Sequence, residues 1–428
     1  MRWIVVSPYL PHPDIGHGGG TAVMQLCLEL ASQHQTLLLC FERENEKGRA
    51  DWLRERGVDV RTLPWRSDKA QGLDRLGLIA DRARVLLGQQ LHDRPFMVEK
   101  YDRESLRRGL DEILDEAPCD VVQVEYSFLS PLARHALAHP SRPTVLLNTH
   151  EVASLPRERE LARARDPFSR LRATTALRRA VAHEKTLRAC ADRVLCVTDQ
   201  DRERLTATLG SADGLATVPL GFDLEGIGPA HTEESKPPRL LFVGSFGHPP
   251  NLYGARILVD EIMPLVHEIR PQIGLDIVGR GADAHLHDIA TRSAGRVRVH
   301  GFVEDLDPLF ARCSVFLAPL FSGGGIKIKV LEAMARGACV LSTAIGVEGI
   351  DDEGTATVLA ASAEDFATKI LELTSDVVQR RQYGSAAQAH IREGYAWPSI
   401  VTRLQEQVLE VRDQSSAGRQ SGSDRTGP

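Results

Sequence analysis

Pro319–Leu320–Phe321–Ser322–Gly323–Gly324–Gly325–Ile326–Lys327–Ile328–Lys329–Val330–Leu331–Glu332–Ala333–Met334–Ala335–Arg336–Gly337 is the stretch from which the fold is read. An apolar run, Ser314 to Leu320, ends in three glycines, and a mostly apolar helical run follows and stops at Gly337. The pattern predicts strand, Gly-rich turn, helix. The start of such a helix points unpaired backbone N–H groups at an anion, and glycines let that anion approach closely. The helix is apolar nearly all round (Ile326, Ile328, Val330, Leu331, Ala333, Met334, Ala335), so it is expected to be buried. Lys329 and Glu332 stand three apart on one of its faces. Unpaired buried charge is costly, so both need partners. Two arrangements meet that need: a mutual salt bridge, or Lys329 on a phosphate with Glu332 on a pair of sugar hydroxyls.

The rest of the chain repeats the theme. Trp3 to Ser7 has the composition of a buried parallel strand, and the loop Pro8 to Gly20 carries Gly16, Gly18, Gly19 and Gly20 before a helix from Thr21 to Ser32. The spacing is not Gly-x-Gly-x-x-Gly, so no dinucleotide fingerprint is indicated. Further strands are expected at 36–41, 58–63, 120–125, 144–151 and 192–198, with a charged helix from Glu42 to Arg56 and a helix-rich segment from Asp68 to Arg108. A second series begins at Arg239–Ser245, with a turn at 246–251, and continues at 274–281, 297–303 and 339–343. Alternating strands and helices predict doubly wound parallel sheets, whose ligands bind beyond the carboxyl ends of the strands. Glu125, His150 and Glu151 stand at such ends.

Composition narrows the function classes. The chain has 428 residues, 42% of them hydrophobic and 26% charged, enough for two or three globular domains. A net charge of −6 gives no reason to expect a nucleic-acid partner. Seven scattered cysteines offer neither metal spacing nor a disulfide framework. Asp199–Asp201 and Asp305–Asp307 have Asp-x-Asp spacing, but both pairs open predicted helices, where acids cap and suit the dipole. No apolar run reaches 18 residues, and Met1 to Leu10 does not read as a signal peptide, so a cytoplasmic protein is expected. Nine arginines between Leu155 and Ala191 read as a solvated helix face, or alternatively as a basic surface for an anionic acceptor or lipid headgroup.

Glu332 followed by Ala333–Met334–Ala335–Arg336–Gly337 resembles the C-terminal signature of family 4 glycosyltransferases, retaining enzymes of the GT-B fold. The family pattern has a first glutamate eight positions earlier, where this chain has Gly324. The run Gly325-x-Lys327-x-Lys329-x-Leu331–Glu332–Ala333–Met334 is similar to a subgroup that lacks it. The resemblance implies two Rossmann-like parallel-sheet domains facing across a cleft. It divides the chain into an N-terminal acceptor-side domain (1–223), a linker (224–238), a C-terminal nucleotide-sugar domain (239–396), a helix returning to the first domain (397–412) and a disordered tail (413–428).

The resemblance also implies an activity: transfer of a sugar from a nucleoside-diphosphate sugar to an acceptor hydroxyl, with retention and with neither metal nor cofactor. His150, Lys329 and Glu332 are the expected catalytic residues. Gly19, Gly20, Gly244, His248, Arg280, Val303, Gly324, Gly325, Ile326 and Lys327 are expected to bind the donor, with Arg280 and Val303 near the base. Glu348 resembles a further family glutamate. The acceptor is open among saccharides, glycolipids and small molecules, and peripheral contact with a membrane is compatible with the resemblance. Two other classes fit the same residues: a GT-B nucleotide-sugar 2-epimerase, and a non-catalytic nucleotide-sugar-binding partner of another transferase.

Overall fold

The computed structural model describes residues 1–15, 18–65, 74–224, 227–231, 233–323, 326–350 and 354–423. The chain divides into two compact units, Met1–Gly221 with Trp397–Pro428, and Phe222–Ala396.

The first unit is built on a seven-stranded parallel sheet: β1 (Arg2–Ser7), β2 (Gln35–Arg43), β3 (Asp59–Trp65), β4 (Val121–Glu125), β5 (Thr144–Asn148), β6 (Arg193–Cys196) and β7 (Leu215–Thr217), in the order β3-β2-β1-β4-β5-β6-β7. Its central strand shows why the apolar runs are continuous rather than alternating. Ile4 and Val6 point into one core with Leu110, Ile113 and Val122, while Trp3 and Val5 point into the other with Leu26 and Leu30. A strand covered by helices on both faces has no solvent side. The helix Trp397–Ser423 joins this unit, packing Ile400, Val401, Leu404 and Val408 among Trp3, Val5 and Leu30. Arg412 anchors it to Asp120 at 2.7 Å. Each such aliphatic side chain contributes about 1.5–3 kcal/mol of burial.

The second unit has a six-stranded parallel sheet: β8 (Arg239–Val243), β9 (Gly274–Val278), β10 (Val297–Val299), β11 (Val315–Ala318), β12 (Val340–Ser342) and β13 (Val358–Leu359), in the order β10-β9-β8-β11-β12-β13. The helix Ile328–Ala335 lies under it, burying Val330, Leu331, Ala333 and Met334 against Phe316 and Val340.

Several local expectations are corrected. Glu42 to Arg56 is not one helix: β2 runs on to Arg43, and only a 3-10 turn (Glu44–Glu46) and a short helix (Asp51–Arg54) follow. Register with β3, which pairs Glu42 with Pro64 and Arg43 with Trp65, holds the charged end in the sheet. The described residues of the linker expected at 224–238, with Phe222 before it, are packed on the second unit. Phe222, Leu224, Ile227 and Ala230 pack on the second core, and Ala230, His231, Glu233 and Ser235 donate backbone bonds to Arg336, Phe310, Ala311 and Arg312. The last helix continues to Ser423 instead of giving way to a tail at Asp413. Val411 is the last buried apolar residue among those of this helix whose side chains are described. Residues 424–428 lie outside the described residues.

Candidate active site

In the second unit, the carboxyl ends of β8, β9 and β11 open onto a cavity of about 570 Å³. Gly244, His248, Arg280, Val303, Ile326, Lys327, Lys329 and Glu332 all line it. The parallel sheet explains the convergence: strands far apart in sequence end along one edge, and the turns after them meet there. Gly324 and Gly325 lie outside the described residues.

Two turns form one wall. The Gly279 N–H donates to Gly301 at 2.6 Å, and the Gly244 N–H to Val278 at 2.9 Å. Gly279 has φ +144°, and a Cβ there would overlap the Gly244 carbonyl oxygen. Only glycine lets the two turns close this tightly. Next to them the Arg280 guanidinium sits 4.0 Å from the centre of the Phe302 ring, and Phe302 is exposed. A cation on an aromatic face makes a flat, polar-edged ledge.

The opposite wall is the start of Ile328–Ala335. Its first helical N–H groups belong to Ile328 and Lys329, two residues later than the sequence suggested, because Lys327 takes the N-cap position. The Lys329 ammonium donates to Asn251 Oδ1 at 2.6 Å and lies 4.7 Å from the Phe242 ring centre. Among the described residues no carboxylate pairs with it. Burial, with Lys327 nearby as a second cause, pushes its pKa down from 10.5 to about 7. The mutual salt bridge allowed by the sequence is not formed. Glu332 instead accepts from Arg336 at 3.0 Å, and Arg336 is itself buried, paired with Asp307 and held against the Phe310 ring. Lys327 stands 3.5 Å from Glu348. Among the described residues this desolvated ammonium has a neutral amide and an aromatic ring as partners, and no counter-charge.

Asn251 was not singled out from the sequence. It sits in the first turn of Pro249–Ile257, where its Nδ2 donates to the Ser245 carbonyl at 2.9 Å, and its partner lies 78 residues away. His248 caps that helix through its backbone carbonyl, 3.0 Å from the Asn251 N–H.

The first unit holds a separate group. Glu125, at the end of β4, is almost fully buried and accepts from Gln123 (2.7 Å), Asn148 (3.0 Å) and the Nε2 of His150 (2.6 Å). This contact orients the His150 ring, with Nε2 towards Glu125. His150 has φ +57° and stacks on Tyr126 at 3.8 Å between ring centres. The helix Gly18–Gln33 begins at Gly18, so Gly19 and Gly20 form its first turn rather than the preceding loop. A Cβ on Gly19 would strike the Tyr126 hydroxyl. Tyr126, directly after a strand end, is thus the residue that brings Gly19 and His150 together, and its place next to Glu125 was the only hint of it.

Both Asp-x-Asp pairs sit at helix starts. Asp199 and Asp201 occupy the first turn of Asp199–Leu209, while Asp307 donates its N–H to Asp305 and pairs with Arg336. Among the described residues no group of three or more His, Cys, Asp or Glu side chains is arranged to hold a metal ion. No helix among them is long and apolar enough to cross a membrane.

Two parallel-sheet units of this topology define the GT-B fold. Two family models match the chain: a glycosyl transferase 4-like domain over residues 17–221 and glycosyl transferases group 1 over residues 237–376. The chain belongs to the GT-B glycosyltransferases of the family 4 type. It is 27% identical over 219 residues to the GDP-mannose-dependent monoacylated alpha-(1-6)-phosphatidylinositol monomannoside mannosyltransferase of Corynebacterium glutamicum, covering 47% of this chain and 58% of that one. It is 27% identical over 163 residues to an uncharacterized 44.6 kDa protein in the cps region of Klebsiella pneumoniae, covering 36% of this chain and 42% of that one. The matched region spans about half the length of these curated relatives. The fold is shared with Anabaena Alr3699/HepE, solved in complex with UDP (TM-score 0.64, 16% identity, 96% of this chain and 100% of that one). It is also shared with sucrose-phosphate synthase from Thermosynechococcus elongatus (TM-score 0.63, 16% identity, 97% and 100%).

Proposed function

We propose that this protein transfers a sugar from a nucleoside-diphosphate sugar to an acceptor hydroxyl, with retention of configuration and without a metal ion. The observation that carries the proposal is Lys329: a buried cation with a neutral partner, at a helix start, in a cavity of nucleotide size. As the glycosidic bond to the diphosphate breaks, negative charge grows on the departing group. Lys329, Lys327 and the first N–H groups of Ile328–Ala335 stand ready to receive it, the part a metal ion plays elsewhere. Glu332, steadied by Arg336, accepts from the ribose hydroxyls, and the base lies by the Arg280–Phe302 ledge and Val303. His150, held by Glu125 in the first unit, is the further residue proposed as catalytic. The GDP-mannose dependence in the name of the Corynebacterium relative supports a nucleotide-sugar donor. An acceptor face on a membrane surface and a cytoplasmic location accord with lipid-linked acceptors such as that relative's.

The test is donor turnover in EDTA. UDP-glucose, UDP-galactose and GDP-mannose are incubated with the protein and a mixture of glycoside and lipid-linked acceptors, and nucleoside diphosphate release is followed. One donor is expected to be consumed, giving a product of unchanged anomeric configuration by NMR, and Lys329→Met is expected to abolish this. Nucleotide binding without turnover of any donor would favour the non-catalytic binding partner.

A further inference from the structure

Asn251 lines the cavity of the second unit from the helix Pro249–Ile257, where it follows two prolines. Its backbone N–H is tied to the His248 carbonyl at 3.0 Å. Its side chain is held at both ends: Nδ2 donates to the Ser245 carbonyl at 2.9 Å, and Oδ1 accepts from the Lys329 ammonium at 2.6 Å. The two ends cannot exchange. A flipped amide would set oxygen against the carbonyl and its N–H groups against the ammonium. A Cβ on Gly244 would press on the Asn251 Cγ, 3.1 Å away, so glycine there leaves the amide its seat. With the Phe242 ring 4.7 Å away as the other contact, the Lys329 side chain has a fixed direction.

The chemistry of that hold matters as much as its geometry. An amide oxygen accepts the bond and leaves the charge of the site unchanged. A carboxylate of the same shape would accept it and cancel the charge. The other ionisable groups around the cavity are engaged elsewhere or carry the same sign. Lys327, the second cause of the lowered Lys329 pKa, stands 3.5 Å from Glu348. Glu332, one turn further along the helix, accepts from Arg336 at 3.0 Å. Arg280 lies over the Phe302 ring, and His248 lines the same cavity. Burial therefore acts on Lys329 without a counter-charge among the described residues, and its pKa falls to about 7. Above that pH the amine is mostly neutral, and an arriving anion restores its charge.

We propose that Asn251 is a positioning residue for donor binding: it aims Lys329 at the diphosphate and, being neutral itself, leaves the ammonium charge for the ligand. The diphosphate as ligand rests on the transferase reading above; the hold of Asn251 on Lys329 does not. Donor binding then takes up a proton, and affinity for the nucleoside diphosphate falls as the pH rises.

Two variants separate position from charge. Asn251→Asp keeps an acceptor and adds a counter-charge, whereas Asn251→Ala removes the acceptor and adds none. Lys329 is first titrated in the ligand-free full chain by carbon-13 NMR, its resonance assigned by its absence in Lys329→Met. Its midpoint is expected to rise by at least about one pH unit in Asn251→Asp. Binding of UDP and GDP is then measured in EDTA from pH 7 to 8.5. In the wild-type protein, affinity for the nucleotide that binds is expected to fall by up to about tenfold per pH unit. Asn251→Ala is expected to bind it at least about tenfold more weakly at pH 7 and to keep the slope. Asn251→Asp is expected to bind it more weakly and to lose the slope. A residue that served only the fold would lower the melting temperature in both variants and leave midpoint and slope as in the wild type. An unmoved midpoint or a retained slope in Asn251→Asp, or wild-type affinity in Asn251→Ala, overturns the proposal. If neither nucleotide binds the wild-type protein, the donor-site reading falls, and the Lys329 midpoint still decides what Asn251 does to the ammonium.

Discussion

The two sheets share a topology but dress their carboxyl edges with opposite chemistry. At the edge of the first, the described charged groups have fixed partners: Glu125 is hydrogen-bonded to His150, and Asp81 is paired with Arg103. At the edge of the second, the Lys329 ammonium is desolvated and, among the described residues, has an amide and a ring as its partners. One parallel-sheet plan therefore yields two edges with differently partnered charges. The difference lies in whether the buried charges are paired, because an unpaired buried cation raises the value of an incoming phosphate and a paired one does not.

The strongest way to break this contrast is at Lys329. Lys329→Met is expected to lower kcat/KM for the donor about 10²–10³-fold, the scale of removing a donor to developing negative charge. Steady-state kinetics would show it, and a loss under tenfold would mean the second edge is not organised around this cation. Glu332→Gln comes next. Replacing a charged acceptor of hydroxyl bonds is expected to weaken nucleotide binding roughly 10–100-fold, with kcat less affected. His150→Phe sharpens the contrast from the other side. It keeps the stack on Tyr126 but removes the bond to Glu125, and is expected to reduce transfer roughly tenfold while leaving nucleotide affinity unchanged. A fall in nucleotide affinity would show that the first edge also serves the anion.

The smallest effect is on stability. Burial pushes the Lys329 pKa in the folded chain down to about 7 from its ordinary value of 10.5. Between these values the unfolded state binds the extra proton, so the contribution of this lysine to stability rises with pH across that window. Lys329→Met removes the rise. It is also expected to raise the melting temperature of the nucleotide-free protein at pH 7, by roughly 2–4 °C per kcal/mol of desolvation relieved. Scanning calorimetry at pH 7 and 9 checks both.

The second edge was far more legible in the sequence than the first. Gly-rich turn, buried helix, Lys329 and Glu332 are contiguous, and local spacing places them on one face. The strands were equally plain, because double-sided burial writes itself as runs such as Trp3–Val6 and Leu240–Phe242. Partnerships made across the fold were not legible. Asn251 reaches Lys329 over 78 residues, and Glu332 turned to Arg336 rather than Lys329 because Asp307 and Phe310 had already fixed that guanidinium. Trp65 and Asp81 flank a long charged stretch with no motif, and only the pairing of β2 with β3 shows that Phe41 and Trp65 share an edge. The helical run past Arg412 was misread because composition speaks to core burial, not to whether a packed helix extends.

The most direct test of the central claim is a calorimetric titration of UDP and GDP into the protein in EDTA at pH 8, in two buffers of different ionisation enthalpy. Lys329 is largely neutral there before binding, and a diphosphate beside it favours the charged form. One nucleotide should bind in a one-to-one ratio with net uptake of a proton, and the uptake should vanish in Lys329→Met. Binding without proton uptake, or binding undiminished in that variant, would contradict the assignment of Lys329 as the cation that meets the donor's diphosphate.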